Sequence, residues 1–302
     1  MTGASATVSA RLDRRPQRGL HRLVELFVIG LLLAIALLWM ASIFPNWGFE
    51  DVDAYWDAAI RLRDGEPLYG GVNDPDNYRV FRYAPWFAWL WIPLTYLPRS
   101  VAEYLWAGLL GASAIGILLA LFRRYQPAAW ALGLILAPML LSLVQVGNIQ
   151  PLVVAMLGFG ISHRSGPLWV GIAASLKAVP ILYALVYVAR RQWSRVALSV
   201  GIAAILVAPM LLSDLSGYTS DPGRSFSIYY FVSPLAWLIA AIGSSIAAIL
   251  LAWRRSPYVW LAIAVAVMLV APRSHVTYAT FFAIGLLAGD SDRIADRGAG
   301  HP

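Results

Sequence analysis

Long apolar runs separated by short polar breaks fill most of the chain. They cover Leu23–Phe44, Val101–Phe122, Pro127–Val144, Ile149–Ile161, Pro167–Leu176, Ala178–Ala189, Val196–Leu212, Tyr229–Trp253, Tyr258–Ala271 and Val276–Ala288. Segments this apolar predict α-helices, because in a bilayer the backbone must satisfy its own polar groups. The pattern therefore predicts an all-α, polytopic transmembrane protein of about ten spans. Several runs are too short, at 1.5 Å per residue, to cross about 30 Å of hydrocarbon alone. These are expected to be broken or re-entrant helices, which are tolerated at membrane depth where they line a polar cavity. The segment Phe81–Pro98 is short, aromatic and holds three prolines. It fits either a kinked span or a re-entrant piece.

One polar insert is long, residues 45–82. It carries Glu50, Asp51, Asp53, Asp57, Asp64, Glu66, Asp74 and Asp76, eight of the 16 acidic residues. Compact connections are normally short, so a loop of this length is expected to be functional. Within it, Asp51–Arg63 has acids in its first turn, apolar Val52, Tyr55, Trp56, Ala59 and Ile60 at helical spacing, and Gly65 just beyond its end. That pattern predicts a short amphipathic helix on the membrane surface.

Composition agrees with the pattern: 60% of residues are hydrophobic and 13% charged, against about 25% charged in soluble domains. The net charge of +7 would suggest nucleic acid in a soluble protein, but here the arginines sit in short breaks between apolar runs and report orientation. Arg11, Arg14, Arg15, Arg18 and Arg22 precede the first run, which makes residues 1–22 a cytoplasmic basic tail and 45–82 an outer loop. If Phe81–Pro98 does not fully cross, Arg123/Arg124, His163/Arg164, Arg190/Arg191/Arg195 and Arg254/Arg255 all fall on the cytoplasmic side, with the tail 290–302. Gln145–Asn148, Lys177 and Arg273–His275 then share the outer side with the acidic loop. If it does cross, a basic cluster falls outside unless a second run fails to span; the first threading is the reading followed. The absence of cysteine excludes disulfides and thiolate chemistry. No internal repeat is visible, which weighs against an inverted-repeat transporter.

Ionisable residues at membrane depth are functional candidates by default. The threading gathers Asp51 and Asp53, Gln145 and Asn148, Lys177 (the sole lysine), and Arg273 with His275. A carboxylate facing cations suits transfer of a group from a phosphate-linked donor: the carboxylate takes a proton from an acceptor hydroxyl and the cations stabilise the departing phosphate. Such a reaction requires no metal. Plainer readings stand beside this one. Asp53, Asp57 and Arg61 form a solvated stripe with an Asp57–Arg61 pair, and Asp51 suits the helix dipole. Lys177 can snorkel as an interfacial anchor, and His275 can be an interfacial hydrogen-bonder.

Several elements in order carry a resemblance. They are D-x-x-x-Y-x-x-A-A at Asp51, Tyr55, Ala58 and Ala59; G-x-x-L-Y from Gly65 to Tyr69; Y-A-P at Tyr83–Pro85; and P-L-x-x-L-P at Pro93–Pro98. After them come G-N-x-Q at Gly147–Gln150, L-K-x-x-P at Leu176–Pro180 and P-x-S-H at Pro272–His275. This ordered set resembles the bacterial polyprenol-phosphate-mannose-dependent mannosyltransferases of the GT-C membrane glycosyltransferase class. The resemblance implies one integral membrane domain over 1–302 that uses a lipid-linked sugar on the outer face of the cytoplasmic membrane. It implies Asp51 as the base of an inverting transfer, with Tyr55 fixing the register; Asp53, taken from the residues themselves, is the second candidate acid. It places Lys177 and His275 at the donor phosphate. The amide element departs from the family's more usual G-Q-x-N, reading Q-V-G-N across Gln145–Asn148.

The expected activity is transfer of a hexose, mannose by the resemblance, from a polyprenyl-phosphate donor to a lipid or cell-envelope glycan acceptor. Substrate contacts are expected from Lys177, His275, Arg273, Asn148, Gln145, Tyr55 and Tyr83. The expected partners are the bilayer and these two substrates, with no cofactor and no nucleic acid. The alternatives are a transporter or flippase of a lipid-linked sugar, and a non-catalytic scaffold.

Overall fold

The computed structural model describes residues 48–288 except 71–73, 75, 125–128, 220–222 and 224, together with 27, 30, 31, 34 and 38 of the first apolar run. The tails 1–22 and 290–302 lie outside the described residues, as does most of the run Leu23–Phe44. Among the described residues there are helices and no strand. In chain order the α-helices are α1 (Glu50–Arg63), α2 (Pro85–Trp91), α3 (Arg99–Arg124), α4 (Ala129–Val146), α5 (Gln150–Gly160), α6 (Gly166–Leu176), α7 (Leu185–Ala189), α8 (Trp193–Val207), α9 (Ile228–Phe231), α10 (Pro234–Trp253) and α11 (Val259–Val270). The last apolar helix, α12 (Val276–Ala288), opens with the 3-10 turns Val276–Phe281.

The prolines and serines that punctuate the sequence start these helices. Proline occupies the first turn of α2, α5, α6 and α10, where its missing N–H is no loss. Ser233 caps α10, its Oγ accepting from the Ala236 N–H at 3.1 Å.

Among the described residues three helices are long and apolar enough to cross a membrane: α3, α8 with its 3-10 extension to Leu212, and α10. Each presents large apolar side chains outward, such as Leu105 and Ile115 of α3 and Ile205 of α8, while Trp106, Leu110 and Ile117 of α3 face the interior. An outward apolar surface of this kind suits lipid. The short helices are the interior of the bundle: Val153, Val154 and Leu157 of α5 and Ile263, Ala264 and Val267 of α11 are fully buried. Protein, rather than length, supplies their apolar surroundings. The piece Phe81–Pro98 forms α2 and the 3-10 turn Ile92–Tyr96. At helical rises these extend only about 20 Å, short of a bilayer crossing.

Helix α1 forms where the sequence predicts it, but its apolar side does not lie on lipid. Val52, Tyr55, Ala58 and Ala59 are fully buried because α1 packs on α2 and the turn that follows it. Tyr55 stacks edge-on against Phe87 and Trp106, at centroid distances of 4.9 and 6.0 Å, and lies 5.4 Å from Trp91. The expected Asp57–Arg61 pair is also absent among the described ion pairs. The chain reverses after Gly65, and Arg61 Nε donates to the Leu68 carbonyl at 3.3 Å instead.

Helices α6 and α8 pack tightly at Gly171, where an added Cβ would sit 2.7 Å from Ile202 Cβ and 2.8 Å from the Ser199 carbonyl oxygen. Gly171→Leu is therefore expected to destabilise the protein by about 1–3 kcal/mol, the usual range for overpacking. Thermal unfolding in detergent checks it, and an unchanged melting temperature would show that the two helices separate freely.

Candidate active site

The site begins at the end of α4. The Gly147 N–H bonds the Val144 carbonyl at 3.1 Å and the Asn148 N–H bonds the Leu143 carbonyl at 2.8 Å, a Schellman closure that requires a left-handed residue at Gly147. Gly147 has φ +75°, and a Cβ there would meet Val52 Cγ2 at 2.4 Å. Its carbonyl accepts from Trp106 Nε1 at 2.8 Å. The turn is thereby clamped between α3 and the start of α1, next to Asp51.

Asn148 then has one orientation. Its Oδ1 accepts from the Gln150 N–H at 2.9 Å, so its amide NH2 is the half that faces Asp51, donating to Oδ2. Gln150 repeats the logic two residues on. Fully buried, it donates from Nε2 to the Thr277 carbonyl and to Thr280 Oγ1, both at 2.8 Å, which leaves Oε1 to accept from Lys177 Nζ at 3.2 Å. Lys177 lies at the C-cap of α6 in extended conformation, where the helix breaks before the 3-10 turn Val179–Ala184. Its ammonium stands 5.2 Å from the Tyr278 ring centroid, a cation–π contact.

The loop after α11 brings Arg273 and His275 to the same place. A strap from the 213–227 segment holds it: the Phe226 N–H bonds the Ser274 carbonyl at 2.8 Å, Ser274 Oγ returns a bond to the Phe226 carbonyl at 3.2 Å, and Ser225 Oγ bonds the Pro272 carbonyl at 3.2 Å. The strap also lies on the acidic loop, with the Tyr69 and Tyr218 rings 5.2 Å apart and Asp76 and Arg273 converging at Gly223.

The electrostatics follow from this packing. Burial pushes the Asp51 carboxyl above the ordinary carboxylate range, against the opposing pull of Lys177 and the Asn148 hydrogen bond. Surrounding chain, then the Arg273 and Lys177 charges, hold the His275 imidazole below its ordinary value. Burial and the neighbouring Arg273 push Arg82 down.

Of the residues the sequence singled out, Asp51, Asn148, Lys177, Arg273 and His275 come together in one cluster. Tyr55 and Tyr83 stand behind Asp51, their hydroxyls 3.0 Å apart, with Tyr69 Oη donating to the Tyr83 carbonyl at 3.0 Å. Asp53 goes elsewhere: it is paired with Arg99, with Arg79 Nε at 3.7 Å. Gln145 is buried within α4, and the amide that meets the carboxylate is Asn148. Three members of the cluster were not singled out. Gln150 had a signal, as the last residue of the G-N-x-Q element; Arg82 adjoins Tyr83-Ala-Pro; Tyr278 had none, being one aromatic in an apolar run. Among the described residues no group of three His, Cys, Asp or Glu could hold a metal ion.

Helices long and apolar enough to cross a membrane, packed around a buried carboxylate opposite several cations, define a membrane protein with a built polar site. The chain belongs to glycosyltransferase family 87, whose family model matches residues 81–287. It is 28% identical over 205 residues to the polyprenol-phosphate-mannose-dependent alpha-(1-2)-phosphatidylinositol pentamannoside mannosyltransferase of Mycolicibacterium smegmatis, a match covering 61% of this chain and 48% of that relative. The chain thus spans about half the length of the relative. No solved structure matches. The family match takes in Asn148, Lys177, Arg273 and His275 but begins after α1, so Asp51 joins the cluster by geometry alone.

Gly147→Ala is expected to lower the melting temperature, since alanine is strained at this φ and its methyl would overlap Val52, an effect of about 1–3 kcal/mol. Gly108, with open space around its Cβ position, serves as the control. Equal melting temperatures for the two alanine variants would show that the turn is not clamped.

Proposed function

We propose that the chain transfers a hexose, mannose in the first instance, from a polyprenyl-phosphate donor to a lipid or cell-envelope glycan acceptor. The observation that carries this is the Asp51 carboxylate held by Asn148 beside Lys177. The donor named for the relative supports the choice of mannose and of a glycolipid acceptor. A GT-C-type arrangement suits the all-helical fold with its short interior helices.

In this reading Asp51 accepts the proton of the acceptor hydroxyl. The acceptor oxygen forms a bond to the sugar C1 as the C1–O bond to phosphate breaks, and the electron pair leaves on polyprenyl monophosphate. Lys177 and Arg273 oppose the charge that grows there, His275 offers a hydrogen bond from a neutral imidazole, and Arg82 adds a second guanidinium. A single displacement of this kind inverts the anomeric centre. Asn148 holds Oδ2, so Oδ1 is the oxygen that meets the acceptor. A raised pKa makes the carboxylate a stronger base, since general-base efficiency grows as the pKa nears the working pH.

Orientation follows from charge. Arg123, Arg124, Arg164, Arg190, Arg191, Arg195, Arg254 and Arg255 lie in breaks at the end opposite the site, and the sequence has no acid from 104 to 213 or from 222 to 289. The positive-inside rule puts that end in the cytoplasm and the site on the outer face.

Asp51→Asn is expected to reduce transfer by about 10²–10⁴-fold, the usual contribution of a general base, with the protein still folded; full turnover with purified polyprenyl-phosphate mannose would reject the assignment. Product formation in detergent, without any gradient, separates transfer from transport. The pH profile gives a further check. Asp51 works deprotonated, so kcat/KM should fall as pH drops through its raised pKa, above the ordinary value of about 4. Lys177 pulls that pKa down, so Lys177→Met should move the acid limb to higher pH while lowering kcat. An acid limb that stays in place would separate Lys177 from Asp51.

A further inference from the structure

Among the described residues four helix ends close with the same pair of backbone bonds, a pattern that puts the residue after the cap in the left-handed region. At the site end that residue is glycine: Gly147, and Gly65 (φ +76°), where the Gly65 N–H bonds the Leu62 carbonyl and the Glu66 N–H the Arg61 carbonyl. At the opposite end it is arginine both times. Arg191 (φ +55°) bonds the Val188 carbonyl at 3.0 Å while the Gln192 N–H bonds Tyr187 at 2.8 Å; Arg255 (φ +52°) bonds Ala252 at 3.1 Å while the Ser256 N–H bonds Leu251 at 2.9 Å. Among the described residues these are the two non-glycine positions with positive φ. A side chain other than glycine is strained there. Strain kept at two matching places on one face asks for a reason that the cap itself does not give.

The two hooks are neighbours. Helix α7, which ends in the first, packs on α10, which ends in the second, and the Arg190 guanidinium lies 6.0 Å from the ring centroid of Trp260, just past the second. Arg191, Arg254 and Arg255 are exposed. Beside them Trp193, Trp253 and Tyr258 are 62–67% exposed, the placement of aromatic side chains at a headgroup boundary. No acidic residue occurs in either loop.

We propose that Arg191 and Arg255, with Arg195 and Arg254, bind the phosphate of anionic phospholipids in the leaflet opposite the active site. The guanidinium matches phosphate oxygens two at a time. The left-handed backbone turns each side chain out of its helix end, and the aromatic residues set the depth. The site is separate from the cluster around Asp51 and does not depend on the transferase reading.

The test uses the full chain purified in detergent, with phosphatidylglycerol, phosphatidylcholine or inorganic phosphate added at equal concentration. The wild type should gain about 2 °C or more in melting temperature with phosphatidylglycerol and not with the other two, the size of shift a modest ligand gives in a protein of this length. Arg191→Gly/Arg255→Gly relieves the strained backbone, so it should be at least as stable in phosphatidylcholine yet lose half or more of the phosphatidylglycerol gain. Arg195→Gln/Arg254→Gln, at ordinary backbone angles, should lose part of that gain and serves if the glycine pair does not fold. An undiminished gain in either foldable variant overturns the proposal. So does an equal gain from phosphatidylcholine, and so does one from inorganic phosphate, which would mark a simple anion site.

Discussion

The hydrogen bond from Asn148 to Asp51 is the joint on which the arrangement depends. It ties a polar loop helix to an apolar bundle through a carboxylate that water would otherwise solvate. Removing a carboxylate from water is costly unless donors and positive charge replace the solvent, and here an amide, an ammonium and a guanidinium offset part of that cost, the carboxyl staying above its ordinary range. The amide can act only because its other half is occupied by the Gln150 N–H, and Gln150 in turn spans α5, α12 and Lys177. Two side-chain amides therefore set the relation between the carboxylate and the cation across four parts of the chain. Fully satisfied networks of this sort rigidify, and partly satisfied ones are expensive.

Much of the helical architecture was legible because an apolar run has few alternatives in a bilayer. The break at Lys177 was legible too: a lysine followed by Ala-Val-Pro cannot continue an ordinary span. What covers a helix was not. The periodicity of α1 shows that one side is apolar, but whether lipid or protein meets it depends on Phe87, Trp91 and Trp106, which belong to other elements. Choosing between Asp51 and Asp53 had the same character. Two residues apart on a helix, they face different neighbours, and Arg99 is 46 positions from the one it binds.

The amide element shows how local geometry corrects a motif. Q-V-G-N offered Gln145 and Asn148 equally, and only the left-handed closure at Gly147 decides that Asn148 is carried past the helix end to the carboxylate while Gln145 stays within it. The side-chain contacts of Gln150 and Tyr278 were hidden for a different reason: the partners, Thr277, Thr280 and Lys177 for the one and Lys177 for the other, are far along the chain, and no short window of sequence contains both ends. The family match, starting at residue 81, likewise covers the cationic half of the cluster and not the acid.

The uneven spread of charge has an energetic corollary for biogenesis. Carrying one elementary charge through a potential of 100 mV changes its free energy by about 2.3 kcal/mol, before any dehydration is counted. A polypeptide threaded backwards would have to pull a whole set of guanidinium groups across the hydrocarbon to right itself. Its orientation is consequently decided once, at the insertion machinery, and is not open to later repair.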